Sequence, residues 1–184
     1  MATRKVKLKG IGYWAKVFED NRDLTGYEGA LEDVGGQTSI DVDLDADNMA
    51  LLRKSKSMKR GTDSPDNDGM TRVKFTRKWQ DKIAGGAPKV VKADGTPWDY
   101  DEDGTIGNGS EVEIVLSVYD TSRKAIVGTR LDKVKVIKHV AYDPDADDDD
   151  DQPAPPPAKT QGKVNKPLPK ASNHEDIDDE IPFD

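Results

Sequence analysis

The sequence predicts a mainly β fold, a small antiparallel barrel with one short helix, followed by an acidic tail without fixed structure. Three observations lead there. Apolar residues alternate with polar ones in several short segments bounded by glycines and turn dipeptides, the period-2 signature of half-buried strands. Ala46 to Lys56 departs from that period. The charge is also split: residues 1–142 carry 24 Lys and Arg against 23 Asp and Glu, a net +1, while residues 143–184 carry 4 against 13, a net −9. The overall −8 therefore belongs to the tail.

The first segment, Val6 to Phe18, reads as a long strand in which Gly10 and Gly12 mark a bulge or bend. Period 2 places Trp14, Lys16 and Phe18 on one face and Tyr13, Ala15 and Val17 on the other. A polar connection, Glu19 to Gly36, leads to a second strand, with Thr38, Ile40, Val42 and Leu44 facing one way and Asp41, Asp43 and Asp45 the other, an outer face that would repel phosphate. Ala46 to Lys56 has Asp47 early and Arg53, Lys54 and Lys56 late, a charge order that suits a helix dipole. Met58 to Gly69 reads as a loop.

Met70 to Trp79 is the third strand, with Val73, Phe75 and Trp79 inside and Arg72, Lys74, Thr76 and Lys78 outside as a basic stripe. Lys89 to Lys92 can form a short strand before the Asp94-Gly95 turn. Val112 to Tyr119 and Leu131 to Val140 complete the set, joined by a loop at Thr121 to Lys124. Five or six strands with Gly-marked bends and one helix point to a partly open antiparallel barrel, for which the OB-fold is the commonest nucleic-acid-binding example; a sandwich fits the same count. The expected domains are the OB-fold-like barrel at 1–142, an Asp/Pro-rich linker at 143–175 and a tip at 176–184. As a flexible coil the linker would average roughly 30 Å between its ends.

Composition removes several function classes. The absence of cysteine excludes disulfides, thiolate metal sites and cysteine nucleophiles, and His139 and His174 are too few for a histidine-rich centre. The basic N-terminus is followed by no apolar segment, and no apolar run nears ~18 residues, so a soluble, cytoplasmic protein without membrane contact is expected. Phosphate-binding glycine loops and nucleophile elbows are missing, which argues against an enzyme. Asp99, Asp101, Asp103, Gly104 and Ile106 follow a calcium-loop pattern, but its twelfth position is Ser110 where a Glu is required. No metal or other cofactor is expected.

Binding a single strand requires cations for the backbone and exposed aromatic rings on which bases stack. Trp14, Lys16, Arg72, Lys74, Lys78, Tyr119, Arg123 and Lys124 would supply both if their strands adjoin. Trp79 is expected in the core, since its register follows Val73 and Phe75; Trp14 and Tyr119 fit a stacking platform and a small core equally well. Stacking platforms accept RNA as well as DNA.

The sharpest motif is the C-terminal Asp176-Ile177-Asp178-Asp179-Glu180-Ile181-Pro182-Phe183-Asp184, because a solvated acidic tail gains nothing from exposed apolar side chains. It is similar to the tip of bacterial SSB proteins, in which acidic residues precede a terminal Ile-Pro-Phe. The resemblance implies that Ile181, Pro182 and Phe183 anchor in pockets of replication and repair proteins while Asp176, Asp178, Asp179 and Glu180 steer; Asp184 is an addition that displaces the terminal carboxylate by one residue. The whole arrangement of barrel, Asp/Pro linker and tip, with Gly107-Asn108-Gly109 before one strand and Val127-Gly128 opening another, resembles the single-stranded DNA-binding proteins of lytic tailed bacteriophages. That resemblance implies sequence-independent protection of single strands by a monomer or weak dimer in replication, recombination and repair. The competing expectation is an acidic DNA mimic that blocks a host enzyme, for which Asp41, Asp43, Asp45 and the run Asp147 to Asp151 speak. A small metal-dependent nuclease ranks last.

Overall fold

The computed structural model describes residues 3–81, 85–121 and 126–142. Seven strands form one sheet in the order β3-β4-β2-β1-β6-β7-β5: β1 (Thr3–Lys16), β2 (Gln37–Leu44), β3 (Thr62–Asp63), β4 (Thr71–Lys78), β5 (Lys89–Val91), β6 (Ser110–Asp120) and β7 (Val127–Lys138). All neighbours are antiparallel except β5 and β7. The five long strands curl until β4 comes against β7, where Arg77 of β4 donates from Nη1 to the Leu131 carbonyl at 3.3 Å and to Asp132 Oδ1 at 3.2 Å. A side chain thus closes the gap between the end strands of a partly open barrel.

The core follows the alternation of the sequence: Leu8, Ile40, Val42, Leu44, Val73, Phe75, Ile114, Leu116, Leu131 and Val134 are all buried. Length makes β1 the organising strand. Its residues from Thr3, opposite Tyr119, to Gly12, opposite Ser110, pair with β6, and those from Ile11 to Lys16 pair with β2. Gly10 lies where β1 passes close to β2, and a Cβ there would stand 2.2 Å from the Asp43 carbonyl oxygen. The expected bulge at Gly10 and Gly12 lies further on, where the β1–β2 register shifts between Tyr13 and Lys16.

The helix α1 (Ala46–Lys54) sits where its charge order predicts and ends two residues earlier than expected. Asp45 caps it by accepting from the Asn48 amide at 2.8 Å, and Met49 and Leu52 bury its inner face against the core. A one-turn helix α2 (Tyr100–Asp103) fills the acidic loop. Its carboxylates hold local structure: Asp99 accepts from the Asp101 amide, and Asp103 pairs with Lys92 at 2.7 Å.

Two expectations are corrected. Trp79 lies outside the core cluster, half-buried at the end of β4 with the Arg22 guanidinium 4.4 Å above its ring, because the strand ends at Lys78 and the inward alternation ends with it. The outer face of β2 is not an open row of aspartates. Residues 62–70 fold back over it, so Asp43 is 0% exposed although it points away from the core.

Candidate nucleic-acid interface

The outer face of β1, β2 and β4 carries rows of side chains set by strand register. Ile11 stands opposite Asp43, and Asp43 opposite Arg72; Tyr13 stands opposite Asp41, and Asp41 opposite Lys74; Lys16 stands opposite Ser39, and Ser39 opposite Thr76. β2 therefore separates Trp14 and Lys16 from the basic stripe of β4, and charge on β2 decides whether the face is cationic.

Asp43 is neutralised by Arg72. The guanidinium donates from Nε to Oδ1 at 2.7 Å and from Nη2 to Oδ2 at 2.9 Å, a bidentate pair, and Nη2 also reaches Asp66 at 2.6 Å. Ser64 and the Asn67 amide donate to the same Asp43 oxygen. Burial works to raise the Asp43 carboxyl, but the hydrogen bonds from Arg72, Ser64 and Asn67 outweigh it and hold the group below its usual range. Burial likewise opposes the Arg72 cation, and its bonds to Asp43 and Asp66 reverse that balance.

Above this pair lie two aromatic rings. Arg72 Cζ is 3.9 Å from the Tyr13 ring centroid and 4.9 Å from that of Trp14. Period 2 puts these neighbours on opposite faces; the bulge brings both to one side, and Trp14 takes a left-handed backbone with φ 44°. Its amide, which has no strand partner there, donates to Asn108 Oδ1 at 2.8 Å, and the Gly109 amide bonds the Gly12 carbonyl at 3.0 Å. Tyr13 is fixed from the other side, its hydroxyl accepting from Asn67 at 2.9 Å. The result is a platform whose outermost ring, Trp14, is 36% exposed.

Beside the platform a shallow groove is lined by Asp41, Arg60, Gly61, Thr62, Arg72 and Lys74. Asp41 is its weak point as an anion. One carboxylate oxygen is buried without a hydrogen bond, the nearest cation is Lys74 at 3.8 Å, and burial raises the carboxyl above its usual range against the pull of Lys74 and Arg72. Lys59 stands near by, and burial together with the Lys74 cation lowers its ammonium below the usual range. Arg60 and Lys74 are exposed.

Of the residues expected from sequence, Trp14, Arg72 and Lys74 meet in this site, with Lys16 and Lys78 exposed at its margin. Arg72 is a buried support of the platform, 7% exposed. Tyr119 is elsewhere: it pairs with Thr3, at the far end of β1, and its ring covers Gly128. Arg123, Lys124 and the tip Asp178, Asp179, Glu180, Ile181, Pro182, Phe183 and Asp184 lie outside the described residues. Tyr13, Lys59, Arg60 and Asn67 escaped sequence reasoning. The bulge hides Tyr13, and the other three sit in a segment that reads only as a connection. Gly61 was the available signal there, since a Cβ on it would stand 2.2 Å from the Arg72 carbonyl oxygen and the loop could not lie against β4.

Of the aspartates that favoured a DNA mimic, Asp43 is buried, Asp41 is mostly covered and Asp45 caps a helix, while the run Asp147 to Asp151 lies outside the described residues. Among the described residues no group of acids and histidines could hold a metal ion, and no helix is long and apolar enough to cross a membrane.

No protein-family model and no curated protein matches the chain. Solved structures do. The single-stranded DNA-binding protein from bacteriophage Enc34 superposes with a TM-score of 0.51 at 13% identity, over 76% of this chain and 84% of that one. The same protein in complex with single-stranded DNA gives 0.52 at 14% identity, over 74% and 88%. The gp2.5 protein encoded by bacteriophage T7, also a single-stranded DNA-binding protein, gives 0.49 at 15% identity, over 83% and 99%. At such identities the likeness to the Enc34 protein is one of fold, and it agrees with the strand order and closure described above: this is an OB-fold-like barrel.

Proposed function

We propose that the chain binds single-stranded DNA without sequence preference on the outer face of β1, β2 and β4, and that it is a binding protein without catalytic activity. The observation that carries this is the pair of rings, Tyr13 and Trp14, held on one side of the sheet over the buried Arg72 and beside the groove of Arg60 and Lys74. Every base has a π-face, so stacking on such a platform is worth ~1–3 kcal/mol per base whatever the sequence, and exposed cations follow the phosphates. The fold it shares with an Enc34 protein captured on single-stranded DNA supports the same reading.

The tip from Asp176 to Asp184 recruits replication or repair proteins by seating Ile181, Pro182 and Phe183 in an apolar pocket while its carboxylates meet a basic rim. That assignment rests on the sequence motif.

Titrating tryptophan fluorescence with oligothymidylate, beside a duplex control, tests the binding reading. Quenching that saturates for the single strand, weakens with salt and is largely lost in Trp14→Ala is the expected result. Equal affinity for duplex, or full quenching in Trp14→Ala, would overturn it. For the tip, a synthetic 176–184 peptide should compete with the full chain for replication proteins, and Phe183→Ala should abolish the competition.

A further inference from the structure

A second cationic surface lies on β1, β6 and β7, in rows fixed by register. Lys5, Ser117 and Arg130 stand side by side, as do Lys7, Val115 and Lys133, and Lys9, Glu113 and Lys135. Leu8, Ile114, Leu116 and Val134, which alternate with them, are in the core, so these rows face outward. They form two columns of cations, one on β1 and one on β7, flanking a β6 column whose only charge in these rows is Glu113; Glu111 stands in the next row, between Ile11 and Lys138. Two strand spacings put the columns roughly 9.5 Å apart, and rows two residues apart repeat at about 6.6 Å.

The carboxylates of this face are outnumbered. Glu113 has Lys7 at 3.6 Å, with Lys9 and Lys135 directly opposite on either side. Asp132 is the extra residue of a bulge in β7 and is nearly buried. It accepts from Lys5, Ser117, Arg77 and Arg130. Burial acts to raise that carboxyl, and the bonds from Arg130, Lys5 and Ser117 hold it low. Glu113 and Asp132 thus each face three cations, and Glu111, one row on, faces Lys138, which leaves a positive excess across the three rows.

This trough is continuous with the aromatic site. Lys5, Lys7, Lys9, Ile11 and Tyr13 all occupy the outer face of the one strand β1, a run of roughly 26 Å. No ring stands among the three rows, so the trough offers contacts to phosphates and none to bases.

We propose that a single strand stacked on Tyr13 and Trp14 continues along β1 and lays its phosphodiester backbone in the trough over β6, between the lysine columns. This rests on the binding reading above and extends it: the aromatic groove grips bases, and the trough lengthens the site and supplies much of its salt dependence.

The test uses the full chain with oligothymidylates of about 4 and about 16 nucleotides, the ends of the range that OB-folds cover. Lys7→Gln/Lys133→Gln should reduce the log-log salt slope for the long oligomer by about 1.4, two phosphate contacts at about 0.7 each. It should leave the short oligomer's affinity and quenching unchanged, and Lys9→Gln/Lys135→Gln should act in the same way. An unaltered slope overturns the proposal. Tighter binding in the variants also overturns it, because the trough would then hold the chain's own acidic segment. If neither oligomer quenches the wild type, the aromatic reading fails, and anisotropy of the labelled long oligomer decides the trough by itself: weaker binding by the two double variants sustains it, and equal binding sinks it.

Discussion

Arg72 meets both carboxylate oxygens of the fully buried Asp43 and at the same time supports the rings of Tyr13 and Trp14. Stability and binding surface therefore share one guanidinium. Arg72→Ala strands an anion that water cannot reach, and breaking a buried pair from one side costs about 3–5 kcal/mol. Chemical denaturation of Arg72→Ala should report a loss of that order, and the variant will lose single-strand affinity as well. A variant that is fully stable would contradict the buried pair.

The same pair sets an acid limit. The Asp43 carboxyl is held below its unfolded value, so its contribution is complete above that value, about 3.9, and is lost as pH falls through the lower folded one. Asp43→Asn should be less stable than wild type at neutral pH, and the gap should close only in strongly acidic solution. Thermal melts from pH 7 to pH 2 measure it, and a gap that stays constant with pH would rule the linkage out.

Trp14 trades strain for exposure. A tryptophan with φ 44° is held in the left-handed region, which costs of the order of 1–3 kcal/mol. Trp14→Gly should recover part of that while losing the cation–π contact, so its melting temperature should match or exceed that of the wild type. Its affinity for oligothymidylate should fall by about 1–3 kcal/mol, the worth of one stacked base. A large drop in stability would show that the ring is needed for packing.

Asp41 is the site's internal brake. Its carboxyl is raised by burial, so as pH falls it takes up a proton before an ordinary carboxylate does and frees Lys74 for phosphate. The folded form binds that proton more tightly than the unfolded chain, so this group adds stability as pH falls and loses it as pH rises through the raised value. Single-strand affinity should increase over the same interval, and Asp41→Asn should bind more tightly at neutral pH and lose this pH dependence. Releasing one part-exposed pair gives up to about 1 kcal/mol, roughly fivefold. Binding isotherms across that interval for both proteins decide it.

The strands and the helix were legible in the sequence because they obey one rule each: Val73 and Phe75 alternate into the core, and Asp47 opens a helix that ends in Arg53 and Lys54, although Asp45 read as a strand residue and is its cap. The site was only half legible because it breaks those rules. Two adjacent aromatics reach one face through a bulge, here with Trp14 at positive φ, which period 2 cannot express, and the cover over Asp43 comes from residues 62–70, distant in sequence from β2. Arg72 read as an exposed cation because its partner lies 29 positions away and is found only by strand register. Tyr119 read as part of the groove because sequence does not say which end of the long β1 it meets.

The bulge also predicts a coupling between Asn108 and Trp14. The Trp14 amide leaves the strand ladder and depends on Asn108 Oδ1 from the loop before β6, so Asn108→Ala removes the contact that holds the ring over Arg72 without emptying any part of the core. Loss of one such hydrogen bond costs about 0.5–1.5 kcal/mol, and a less ordered ring should bind bases more weakly by a similar amount. The two residues then act as a unit. Asn108→Ala should weaken oligothymidylate binding in the wild-type background and have almost no effect in Trp14→Ala, because its only route to the DNA is through that ring. A double-mutant cycle on affinity measures this directly. Additive losses would mean that Asn108 touches the strand itself, and the platform would then extend to the Gly107–Gly109 loop.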